Sequence, residues 1–92
     1  MMNDKPVYPS EEAAEAAILA LAGRPDAPKT IAPEEAARAL ASNADWQNLL
    51  PLVRRAAVRL AQSGRLVIYR KGKPVDPADF RGVYRLGLPP GG

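Results

Sequence analysis

From Trp46 to Arg70 the chain reads WQNLLPLVRRAAVRLAQSGRLVIYR, and the spacing of its apolar residues changes once, at Gly64. Before it, Trp46, Leu49, Val53, Ala56, Ala57 and Leu60 recur at three- and four-residue intervals, which is one face of a helix. After it the period falls to two. Leu66 and Ile68 share one face and Val67 and Tyr69 the other, the pattern of a half-buried strand. Glycine at the junction suits the left-handed residue that closes a helix. The reading is a third helix over about 46–63 and a strand over 65–70. Pro51 removes one helical hydrogen bond, so either the helix kinks or a separate turn precedes a helix beginning near Leu50.

Upstream, Pro9-Ser10-Glu11-Glu12 is a helix start, with Ser10 as cap and two carboxylates at the positive end of the dipole. Ala14, Ala17, Ile18 and Leu21 give this first helix an apolar stripe, and Gly23 ends it. Lys29-Thr30-Ile31 reads as a very short strand. A second helix over about 33–41 opens with Pro33 at its first position, where the missing N–H does no harm. Ala32 lacks the side chain that a cap would use, so this start is weaker than the first. Ser42-Asn43-Ala44-Asp45 is a turn, with Asp45 as the expected cap of the third helix.

Downstream, Val83 to Leu88 reads as an antiparallel partner for 65–70. The twelve residues Lys71–Gly82 between them form a basic loop, in which Asp76-Pro77-Ala78-Asp79 has the cap and proline of one helical turn. Residues 1–8 read as a flexible arm, 9–88 as the domain and 89–92 as a tail. Three short helices with one apolar stripe each need a further layer, and the hairpin supplies it. The expected fold is α+β, a winged helix-turn-helix: three helices with a C-terminal β-hairpin as the wing. The expected large core residues are Ile18, Leu21, Leu40, Trp46, Leu49, Val53, Leu60, Leu66, Ile68, Leu86 and Leu88.

Four runs also carry a family resemblance. They are Thr30-Ile31 with Pro33 to Leu40, Trp46 to Arg54 with Leu49 and Pro51, Leu60-Ala61 with Gly64-Arg65, and Lys71-Gly72 with Pro74-Val75-Asp76-Pro77 and Arg81-Gly82. Over roughly residues 13–88 the chain resembles the bacterial domain-of-unknown-function family 3253. The loop motif is the most specific part. The resemblance implies a winged-helix-like fold and no established activity.

Composition narrows function. The 92 residues include no cysteine and no histidine. That removes disulfides, zinc or iron–sulfur sites built on Cys/His, a thiol nucleophile and a histidine base. Ser10, Ser42 and Ser63 are explained by helix ends and turns, Gly72 and Gly82 are isolated turn glycines, and Asp76 and Asp79 are loop-capping residues. No enzyme, cofactor or metal is expected. No apolar run approaches the roughly 18–20 residues of a membrane span, and Met1–Tyr8 has no signal-peptide core, so a cytoplasmic location is expected. Seventeen alanines and five aromatic residues make a thin core.

The net charge of +3 hides an asymmetry. Up to Trp46 four cations face eight carboxylates; beyond it nine cations face Asp76 and Asp79 alone. A basic C-terminal half on a helix-turn-helix points to nucleic acid, most simply duplex DNA. Gln47, Asn48, Arg55, Arg59 and Gln62 lie on the polar face of the expected third helix, where Arg reads guanine and Asn or Gln reads adenine. Lys71, Lys73 and Arg81 on the wing would meet phosphates or the minor groove. Neutralising five to seven phosphates would give a salt slope of about −5 to −6. Arg54, beside the apolar stripe, is read instead as a structural partner of Glu35 or Asp76. The alternative function is a protein-interaction or dimerisation module. For that reading Leu52, Val58 and Tyr69 would have to form an exposed apolar patch, whereas packing under the wing or the first helix is the simpler fate of Leu52 and Val58.

Overall fold

A computed structural model describes residues 9–41 and 44–90. The expected arm at 1–8, Ser42 and Asn43 of the expected turn, and the final Gly91-Gly92 lie outside the described residues. Three α-helices, α1 (Glu11–Ala22), α2 (Pro33–Leu40) and α3 (Leu50–Gln62), precede three short strands, β1 (Val67–Arg70), β2 (Lys73–Pro74) and β3 (Arg85–Gly87). The strands form one antiparallel sheet in the order β2-β1-β3. The fold class is therefore α+β.

The local signals act where they stand. Ser10 Oγ accepts the amide of Ala13 at 3.1 Å and caps α1. The start of α2 receives no side-chain bond from Ala32, but Glu35 reaches back, its carboxylate accepting the Ala32 amide at 3.0 Å. Half of a capping box thus forms without a capping residue. At the end of α3 the Gly64 amide donates to Ala61 O at 3.1 Å and the Arg65 amide to Leu60 O at 2.9 Å. Gly64 takes φ +81°. This is the paired closing turn that a glycine past the last helical residue permits, and it swings the chain into β1.

The third helix is shorter than expected. Residues Ala44–Leu49 wind as a 3₁₀ turn and α3 begins at Leu50, so Pro51 falls in the first turn, where its missing N–H breaks no bond. The second of the two readings of Pro51 holds. Asp45 then lies within the 3₁₀ turn and not as a cap of α3.

One contiguous core joins the layers. Ala14 and Ile18 of α1, Ala36 and Ala37 of α2, Val53, Ala56, Ala57 and Leu60 of α3, and Leu66, Ile68 and Leu86 of the hairpin are all buried. Ile31 is fully buried and makes the expected short strand a single bridge: its amide donates to Leu86 O at 2.7 Å, and its carbonyl accepts from the Leu86 amide at 2.9 Å. Leu52 and Val58 are half-buried against this core, as their simpler reading requires.

Two expectations about the core need correction. Leu88 is 44% exposed, because β3 ends at Gly87 and the chain leaves the sheet before Leu88 can turn inward. Phe80 and Tyr84 are buried instead, with rings edge to face at 5.1 Å. Phe80 comes from the expected loop 71–82, and Tyr84 from the expected strand, which begins only at Arg85. Lys71-Gly72 is a two-residue hairpin turn that pairs Lys73-Pro74 with β1, and the Val75 amide extends the pairing to Ile68 O at 2.9 Å. Asp76 does act as a cap: its carboxylate accepts the Ala78 amide at 2.9 Å, within a turn closed by the Asp79 amide on Asp76 O.

Candidate nucleic-acid interface

Thirteen cations on a small domain must be sorted by what already holds them. Arg54 leaves α3 half-buried and donates from Nη2 to Phe80 O at 2.6 Å. Its guanidinium lies 3.9 Å from the Phe80 ring centroid and 5.7 Å from that of Tyr84. A planar cation can stack and donate at once, which suits Arg and not Lys. The structural role expected of Arg54 is kept, but its partners are a carbonyl and two rings, not Glu35 or Asp76. Glu35 is occupied at the start of α2.

Arg70 performs the matching task from β1. Its Nε donates to Val83 O at 2.9 Å, and a side chain at Gly82 would press on this guanidinium at 2.8 Å. Two arginines therefore pin the returning segment 80–83 to the helical body at one point and to the sheet at the other. Burial of Tyr84 raises its phenol pKa; the charge of Arg54 opposes that rise and that of Glu34 adds to it.

The helix arginines chosen from the sequence face α1. Arg59 Nη1 donates to Glu11 at 3.0 Å and its Nε stands 3.7 Å from Glu15, while Arg55 Nε stands 3.6 Å from Glu11. The hydrogen bond and charge of Glu11, then the charge of Glu15, hold the Arg59 guanidinium pKa above its ordinary value. Both arginines stay about two-thirds exposed, so these ion pairs add little stability. Their effect is on the field: with Glu11, Glu12 and Glu15 alongside, this side of the helix pair presents no excess positive charge. Gln47 and Asn48 are exposed on the 3₁₀ turn, not on α3, and Gln62 is exposed at the far end of α3. A 13-residue helix spans about 20 Å, so these amides do not converge with one another.

The cations of the hairpin and the loop after it are arranged differently. Lys71 and Lys73 are exposed on either side of Gly72 at the hairpin tip, and Arg81 is exposed further along the loop. The Ile31–Leu86 bridge brings Lys29 and Thr30 alongside Arg85 of β3. Arg85 is oriented by Thr30, Nε donating to Oγ1 at 2.7 Å and Nη2 to the carbonyl at 3.1 Å. Lys29, Thr30, Tyr69, Lys71, Gly72 and Arg85 enclose a hollow of about 220 Å³ with no carboxylate in its wall. None of Lys29, Lys71, Lys73 and Arg85 makes an ion pair among the described residues.

Sequence reading missed Lys29, Thr30 and Arg85. Arg85 was legible in part, since it alternates with inward Leu86. Lys29 and Thr30 were not, because only a pairing across 55 positions carries them there.

A second concavity lies between the start of α2, the start of α3 and the segment that enters β3. Pro33, Leu50, Pro51, Val83 and Tyr84 line a groove of about 710 Å³, bordered by Glu34, Arg54 and Arg85. Val83 stands 84% exposed at its edge. Among the described residues no cluster of His, Cys, Asp or Glu could hold a metal ion, and no helix is long and apolar enough to cross a membrane.

Comparison with known proteins gives a family. The model for a family described as proteins of unknown function, DUF3253, matches residues 11–89, nearly the whole chain. No curated protein matches the chain.

Proposed function

We propose that this chain, which belongs to the DUF3253 family, is a winged-helix module that binds nucleic acid, duplex DNA in the first instance, through phosphates met by its sheet end. The wiring supports the winged-helix reading. Ile31, β3 and β1 lie in that order across the sheet, α2 is followed in the chain by the 3₁₀ turn Ala44–Leu49 and then α3, and the wing is the segment between β1 and β3.

The observation that carries the functional reading is the unpaired cationic group Lys29, Lys71, Lys73 and Arg85, gathered from three separate stretches of chain onto one end of the molecule. Charges without local partners remain available to a polyanion, and phosphate contact needs only position and sign. Arg55 and Arg59 take a lesser part here than their place on the third helix suggests, because Glu11 and Glu15 compete for them. Four phosphates neutralised would give a slope of log K on log salt of about −4.

The test is binding of a fluorescent random-sequence duplex across a salt series. Lys71→Ala with Lys73→Ala should lower low-salt affinity by about tenfold or more and flatten the slope by roughly 2. Arg55→Ala with Arg59→Ala should change affinity less. Wild-type binding weaker than about 10⁻⁴ M at low salt would reject the reading.

The groove at the base of the wing favours a second reading, a docking or dimerisation module. An exposed valine beside a concave apolar surface is what a protein partner would cover. Under that reading Val83→Glu abolishes association while the duplex experiment stays blank.

A further inference from the structure

We propose that the hollow enclosed by Lys29, Thr30, Tyr69, Lys71, Gly72 and Arg85 is a seat for a single phosphate group. The inference deepens the nucleic-acid reading and, in its nucleic-acid form, rests on it. Three observations converge. The wall holds three cations, the hydroxyl-bearing Thr30 and Tyr69, and no acid, so an anion entering it meets attraction without a competing carboxylate. Arg85 is aimed in advance: Thr30 holds its Nε and one terminal nitrogen through two hydrogen bonds, so its fork loses less freedom on meeting an oxyanion. A volume of about 220 Å³ admits a phosphate with some of its water and excludes a base pair.

A further observation concerns Lys71. It is the single non-glycine among the described residues with a positive φ, +53°, and Gly72 follows at +82°. A two-residue hairpin turn of this kind favours Asn-Gly or Gly-Gly, and a lysine pays a conformational penalty in its first position. The chain keeps a cation where the backbone prefers an amide or no side chain. Strain of this kind is retained where the side chain has a task, and here that task is to close the hollow with positive charge.

The turn supplies an experiment in which stability and binding move in opposite directions. Lys71→Asn relieves the backbone and removes the charge. Its thermal midpoint should rise by a few degrees while its affinity for inorganic phosphate falls about fivefold or more. Amide NMR of the folded chain reads both ligands, inorganic phosphate and a short duplex, against chloride of equal ionic strength. Saturable phosphate shifts at Thr30, Gly72 and Arg85, weakened in Lys71→Asn, support the seat. The same amides responding to the duplex make the phosphodiester its ligand. Phosphate saturating without duplex binding keeps the seat, assigns it to free phosphate or a small ester, and removes the nucleic-acid reading. Duplex binding with these amides silent, or phosphate shifts that never saturate and do not depend on Lys71, overturns the seat.

Discussion

Replacing Arg54 with alanine tests whether its cation serves the fold or the ligand. The side chain donates to Phe80 O at 2.6 Å and stacks 3.9 Å over the Phe80 ring. A hydrogen bond from a charged donor is worth about 1.5–3 kcal/mol, and a cation over an aromatic face about 0.5–2 kcal/mol. The two share one guanidinium and do not add in full. Half-burial of Arg54 also lets water reach part of the exposed carbonyl. A loss of about 2–3 kcal/mol follows, a large share of the roughly 5–14 kcal/mol expected of a chain this size. Thermal unfolding should shift down by about 10–20 °C, and the urea midpoint by roughly 2–3 M for a slope near 1 kcal/mol/M. Arg54→Lys keeps the charge but loses the planar stack, so it should recover only part of the loss. Unfolding followed by circular dichroism reads all three proteins. A change below about 0.5 kcal/mol in Arg54→Ala would refute the claim that this residue fastens the segment around Phe80 to α3.

Three further outcomes follow from single contacts. Gly87→Ala places a Cβ 2.8 Å from the Lys29 carbonyl and 3.3 Å from Tyr69 Cε2, so thermal melts should show a loss of about 1–3 kcal/mol; an unchanged melt would mean the two strands separate freely. The Tyr84 phenol pKa is raised on folding above its ordinary 10.0, so its stabilising contribution is complete below that pH and declines as pH rises through the folded value. Urea midpoints should therefore fall more steeply above about pH 10 in the wild type than in Tyr84→Phe, and parallel curves would contradict the assignment. Glu11→Gln with Glu15→Gln frees Arg55 and Arg59, so duplex affinity at low salt should rise severalfold; no rise would show that the carboxylates are not what restrains these arginines.

The candidate interface was half legible. Lys71, Lys73 and Arg81 were visible because a basic loop between two strands stands out from its surroundings. Arg55 and Arg59 were equally visible, yet helical spacing gives the face a residue occupies without saying which neighbour that face meets. It meets the acidic first turns of α1. The same carboxylates that favour the start of a helix by sequence become, in space, the partners of cations more than 40 positions away.

The order of residues was enough for the three helices, the pairing of β1 with β3 and the α+β class, though not for β2. Periods of 3.6 and 2, the serine and proline starts, and Gly64 at the end of α3 are local signals, and local backbone chemistry answers them within a turn. It likewise determined that histidine and cysteine chemistry are absent. Tertiary structure alone decided which cations remain without partners, because that depends on which elements touch. Burial of Phe80 and Tyr84 gives Arg54 its stacking partners, and the Ile31–Leu86 bridge carries Lys29 and Thr30 to Arg85. Charge acts through space over several ångströms, so its outcome is written by the packing and not by the order of residues along the chain.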